Sequence, residues 1–121
     1  VAIGRLLPHE RTSTRRESEV MAEIAANAGV HPLVVSEDCV VLDGHHRLAC
    51  LKKLGSDTAP VVVVDYFGEG VLLSPRRKNI PVSKELVVRV AKSGKLFPHK
   101  TTRHSYSFAL SRERVPVSGR P

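Results

Sequence analysis

Tryptophan is missing from this 121-residue chain, and aromatic residues make up only 4% of it. A core without large rings has to be built from Val, Leu, Ile and Ala, and the surface offers few platforms on which bases could stack. Cysteine is scarce as well. The two present, Cys39 and Cys50, supply neither a disulfide framework nor a zinc ligand set. Cys50 falls inside a helical pattern and Cys39 borders a strand, so both read as structural. No apolar run is long enough to span a bilayer and no secretory segment is visible, which leads to the expectation of a reduced, cytoplasmic protein with no membrane partner. Acidic residues are in deficit, 12 against 19 Lys and Arg, leaving a formal net charge of +7. That balance favours an anionic partner, whether nucleotide, phosphorylated metabolite or nucleic acid, without choosing among them. Internal repeats, a Walker A loop and the protein-kinase signatures are all absent.

What is present is enough apolar sequence, 41% of the chain, for one domain with one modest core. The stretch from Val40 to Gly55 organises it. Val40, Val41 and Leu42 form a short β-branched run, Asp43-Gly44 supplies turn chemistry, and Leu48, Leu51 and Leu54 recur at helical spacing until Gly55. His45, His46 and Arg47 therefore fall in the first turn of a helix. Unpaired N–H groups and the positive end of the helix dipole make such a turn a seat for phosphate, and Arg47 adds a forked donor. The blander alternative makes Asp43 a cap and the histidines solvated. Three potentially cationic side chains at a helix start argue against it unless an anion is expected there.

Along the rest of the chain, Ile3 to Leu7 reads as a short strand ended by Pro8. It is followed by His9-Glu10, a carboxylate just past a strand end, where catalytic groups are often placed. Thr14 and Glu17 have capping-box spacing at the start of a helix whose apolar stripe is Val20, Met21, Ile24, Ala25 and Ala28. Leu33 to Val35 turns through Ser36-Glu37-Asp38 into the Val40 strand as a β-hairpin. Pro60 to Val64, continuously apolar, predicts a central strand covered on both faces. Val71 to Leu73 reads as a strand, Ser74 to Lys78 as a solvated basic loop, and Lys84 to Lys92 as a second amphipathic helix. Residues 96–104 form a loop dense in cations and hydroxyls, a second anion site, leading into an alternating strand Ser105 to Leu110. A domain of residues 1–110 is expected, with 111–121 a basic, flexible tail.

Four segments, L-L-P-H-E (6–10), V-L-D-G-H-H-R (41–47), V-D-Y (64–66) and T-R-H (102–104), occur in the order seen in a known family. From about Leu6 to Ser107 the chain resembles the free L-serine kinases of the ParB/sulfiredoxin-like superfamily, the archaeal ADP-dependent serine kinases in particular. The resemblance implies an α+β fold, a single compact domain with a small mixed sheet and about three helices. It also implies Mg²⁺ and a nucleotide donor, ADP favoured and ATP possible, converting free L-serine to O-phosphoserine on the route to cysteine. By similarity Glu10 would be the general base, with Asp43 a second catalytic carboxylate and metal ligand. Gly44, His45, His46 and Arg47 would hold the phosphates, while Thr102, Arg103 and His104 would bind serine. Longer members carry an additional segment before the last helix and a tryptophan near the serine pocket; this chain is shorter there and has no Trp.

The residues support phosphoryl transfer without the resemblance. That chemistry asks mainly for positioning, positive charge and an acceptor for the nucleophile's proton. Three rivals compete. A ParB-like nucleotide- or DNA-binding module would carry an arginine-rich turn where His45-His46 stand. A sulfiredoxin-like reductase would need a cysteine at position 45. A metal site built from His45, His46 and His104 is the weakest, since adjacent histidines seldom both reach one ion.

Overall fold

The computed structural model describes residues 1–27 and 29–117. Strand β1 (Leu33–Ser36) is buried at every position because both of its faces are covered. Leu33 and Val35 pack with Val20 and Ile24 of helix α1 (Thr14–Asn27) and with Leu48 and Leu51 of helix α2 (His45–Lys53). Val34 points the other way, into a second cluster with Val71, Tyr66, and Val87 and Ala91 of helix α3 (Lys84–Ser93). Period-two alternation thus sends one strand's side chains into two small aliphatic cores.

The expected hairpin is present. β1 pairs antiparallel with β2 (Val41–Asp43), and the turn is closed by the Cys39 N–H on the Ser36 carbonyl at 3.0 Å and the Val40 N–H on Ser36 Oγ at 3.1 Å. On its other side β1 pairs parallel with β3 (Val61–Val64), Leu33 opposite Val61 through Ser36 opposite Val64, so the order is β2-β1-β3. This corrects the expectation for residues 60–64. The all-valine strand lies at the sheet edge, with Val63 56% exposed, and β1 holds the centre. Uniform apolarity describes the strand's composition; which strand is covered is decided by what packs on it. A second sheet pairs β4 (Val71–Pro75) antiparallel with β5 (Thr102–Tyr106), in register from Val71 opposite Tyr106 to Pro75 opposite Thr102. Three α-helices and two small sheets among the described residues make the architecture α+β as expected.

Other boundaries move. Ile3–Arg5 is one turn of 3₁₀-helix, not a strand, although Leu7 bridges β2's start through N–H···O bonds of 2.9 Å with Cys39 and Val41. Ser13 rather than Thr14 caps α1, its Oγ accepting from the Arg16 N–H at 3.2 Å. Glu17 is drawn instead to Thr12 and to the Lys53 ammonium at 2.5 Å. Val20 and Ile24 are buried, Ala25 is exposed, and Ala28 lies outside the described residues. Helix α3 starts at the Ser83 cap, whose Oγ accepts from the Leu86 N–H at 3.1 Å. Strand β5 begins at Thr102, three residues before the predicted strand, and ends at Tyr106.

The C-terminal segment, expected as a loose tail, makes contacts over its described part. Val115 forms a β-bridge with Val30 through two 2.9 Å backbone bonds, Arg114 Nη1 donates to the Gly29 carbonyl at 3.2 Å, and Val117 packs on the first core cluster. The low local hydrophobicity hid these contacts, which are mostly backbone-mediated. Residues 118–121 lie outside the described residues. Among the described residues no helix is long and apolar enough to cross a membrane.

Candidate active site

The site is built at the end of β2. Val34 lies opposite Asp43 but Val35 opposite Val41, which leaves Leu42 as an extra residue, a bulge that re-aims the strand end. Gly44 follows with φ +103°, in the left-handed region; a Cβ there would sit 2.8 Å from Leu33 Cγ and 3.2 Å from Arg47 Nε. Glycine is therefore required on both counts. The first helical bond runs from the Leu48 N–H to the Gly44 carbonyl at 2.8 Å, so the N–H groups of His45, His46 and Arg47 have no partner within α2.

Two cavities, of about 530 and 870 Å³, open on either side of this turn and share Arg16, Asp43, Gly44, His45 and His46 as a wall. The first is completed by His31, Arg47 and Arg112 among others. The second holds Glu10, Ser13, Arg76, His99, Lys100 and Thr102. Glu10 is fixed in it through one oxygen. Its Oε1 accepts from the backbone N–H groups of Thr101 and Thr102, each at 2.8 Å, and from the Thr102 hydroxyl at 3.2 Å. The backbone around it is pinned by the Arg11 N–H on the Phe97 carbonyl at 2.9 Å and the Phe97 N–H on the His9 carbonyl at 2.7 Å. Asp43 is half-buried and accepts on Oδ2 from the Tyr106 hydroxyl. Burial pushes its carboxyl above the usual range, opposed by the Tyr106 hydrogen bond and by the Arg47 charge.

The three adjacent cations expected at the helix start resolve into one. His45 is buried, its Nε2 accepts from the His9 N–H at 3.1 Å, and burial holds its ring well below the ordinary histidine value. His46 Nε2 accepts from the Ser13 N–H at 3.1 Å, and partial burial lowers its pKa too. Arg47 remains, with Nη1 donating to the Pro32 carbonyl at 2.7 Å and the His31 carbonyl at 3.3 Å. A helix turn rotates neighbours by about 100°, so consecutive residues cannot share one direction.

Nor does the T-R-H motif act as one loop. Strand alternation turns Thr102 and His104 inward and leaves Arg103 exposed. Thr102 reaches the Glu10 cavity, whereas His104 lies beneath it, its Nε2 2.9 Å from the Tyr66 hydroxyl. His104 packs at 5.9 Å from the His9 ring, which itself lies 4.5 Å from His45. Burial pushes His9 down to about 4 and His104 down to about 3, so the site rests on a neutral histidine cluster. His9 Nε2 is 3.2 Å from Thr102 Oγ1, and its Nδ1 faces the Val41 backbone without a hydrogen bond of normal geometry. Of the residues found here, His9 and Tyr106 have no role assigned from the sequence and Arg76 reads there as part of a solvated loop, whereas Lys100 falls in the expected second anion site. Extending the predicted alternation back from Ser105 would have placed Tyr106 on the same face as Thr102.

No family model matches the sequence. The ATP-dependent L-serine kinase of Staphylothermus marinus is 35% identical over 79 residues, covering 60% of this chain and 31% of that protein. The ADP-dependent L-serine kinase SerK of Thermococcus kodakarensis is 35% identical over 78 residues, covering 59% and 32%. The chain thus spans about a third of the length of the curated relatives it matches. A conserved hypothetical protein from Pyrococcus furiosus superposes with a TM-score of 0.85 at 18% identity, over 96% of this chain and 94% of that one. A free serine kinase solved with AMP as a glutamate-to-glutamine mutant superposes with a TM-score of 0.83 at 16% identity, over 98% and 90%. The chain is similar in sequence to L-serine kinases over part of their length, and it has the fold of the free serine kinase.

Proposed function

We propose that this chain transfers a phosphoryl group from a nucleotide, ADP favoured and ATP possible, to the hydroxyl of free L-serine, giving O-phosphoserine. The observation that carries the reading is Glu10: a carboxylate held through Oε1 in a cavity that the N-terminal turn of α2 also lines. The nucleotide's terminal phosphate would sit against the His45, His46 and Arg47 N–H groups. Serine would enter beside Glu10 and Thr102. Its Oγ attacks the terminal phosphorus, the bond to the bridging oxygen breaks, and AMP (or ADP) departs with that oxygen. The hydroxyl proton passes to Glu10, whose Oε2 remains after Oε1 is taken. Arg76 and Lys100 line the same cavity and would offset charge on the transferred group. A free serine kinase of the same fold was solved with ADP and with AMP, which supports ADP as donor.

Mg²⁺ fits this donor set. It prefers one or two carboxylates together with phosphate oxygens and water to an all-protein cage. Asp43, with Oδ2 held by Tyr106, keeps its other oxygen for such an ion, and the ion would neutralise phosphate charge.

Incubation with serine, Mg²⁺ and each nucleotide, with mass detection of phosphoserine and of AMP or ADP, tests the proposal. Phosphoserine is expected; none with either nucleotide overturns it. Glu10→Gln keeps size and one acceptor oxygen but removes the base, and kcat should fall by about 10²–10⁴-fold with serine KM little changed. A fall of less than about tenfold would exclude Glu10 as the base.

A further inference from the structure

Tyr106 lies on the inward face of β5 and lines neither cavity, yet its hydroxyl donates to Asp43 Oδ2. Asp43 is the carboxylate common to both cavities, and it stands on a strand end re-aimed by a bulge, next to a glycine in the left-handed region. A carboxylate so placed can rotate unless something outside the turn holds it. Arg47, three positions into α2, spends Nη1 on the His31 and Pro32 carbonyls, leaving Tyr106, among the described residues, as the hydrogen-bond partner of the Asp43 side chain. Tyr106 is itself braced. It stands opposite Val71 in the β4–β5 register, and its ring lies 5.8 Å from that of Phe108.

We infer that Tyr106 is a positioning residue. By holding Oδ2 it fixes which Asp43 oxygen is presented to the nucleotide phosphates and their divalent cation. The two sheets are thereby coupled at the site, because β2 supplies the carboxylate and β5 sets its orientation. The inference rests on the kinase reading for its kinetic half and on geometry for the other.

Tyr106→Phe removes the hydroxyl and keeps the ring. Nucleotide affinity measured by calorimetry without Mg²⁺ should match the parent, whereas the Mg²⁺ concentration needed for half-maximal tightening should rise several-fold. In turnover, kcat should drop about tenfold, the worth of one hydrogen bond to a charged group, with serine KM within about twofold. Tyr106→Phe added to Asp43→Asn should cost nothing further, since the carboxylate it orients is gone. An unchanged Mg²⁺ requirement, or losses that add in the double variant, overturns the inference. If the parent makes no phosphoserine, the kinase reading fails while the calorimetric arm still decides the positioning role. Should Tyr106→Phe not fold, Tyr106→His and Tyr106→Leu replace it: only the donor-bearing variant should keep a Mg²⁺ requirement near the parent's, and equal requirements in the two overturn the inference.

Discussion

Helix α2 opens on His45-His46-Arg47, and strand β5 opens on Thr102-Arg103-His104. Both are short runs of polar residues at one edge of the cavities, and each looks in sequence like a single functional unit. Neither is one. In the helix a rotation of about 100° per residue buries His45 against the His9 backbone and leaves His46 and Arg47 nearer the surface. In the strand the alternation is sharper, with Thr102 at the Glu10 cavity, Arg103 in solvent and His104 in the interior. Adjacency in a motif therefore names candidates, and the period of the element decides which of them meet a ligand.

The comparison can be broken at the helix first. His45→Ala would open a cavity and strand the His9 N–H, costing about 2–5 kcal/mol, whereas His46→Ala should cost under about 1 kcal/mol. Thermal melts of the two variants measure the difference; equal losses would mean that the two histidines are not segregated.

Next in size is acid sensitivity. His9 and His104 have folded values of about 4 and about 3, below the ordinary 6.5, so the unfolded chain binds protons that the folded chain refuses. Stability is then full above pH 6.5 and is lost as pH falls toward 4, by about 2 kcal/mol for each histidine between neutrality and pH 5. Denaturant midpoints across that range would check it, and a flat profile would place the rings in water.

The strand gives the smaller pair. Thr102→Val removes one of three bonds to Glu10 Oε1 while the backbone donors remain, so turnover should fall by about three- to tenfold. Arg103→Ala, on the outer face, should leave stability within about 0.5 kcal/mol and serine KM unchanged. A large rise in KM for Arg103→Ala would return that side chain to the substrate site.

Local chemistry was enough to read the strand, turn and helix around Asp43-Gly44, because strand branching, turn glycine and leucine spacing all act over a few residues. Glu10 was only weakly legible, as a carboxylate after a segment read as a strand that folds as a 3₁₀ turn, and the family resemblance is what singled it out. Only the tertiary structure decided that β1 rather than the valine strand holds the sheet centre, since centrality depends on two partners remote in sequence. The same holds for Tyr106 and Asp43, 63 residues apart, for Glu10 and Thr102, 92 apart, and for the 111–117 segment closing on Gly29 and Val30. Such contacts form when separate elements pack and have no signature in either segment alone. Burial, not residue type, then turned a row of apparent cations into neutral histidines beneath the site.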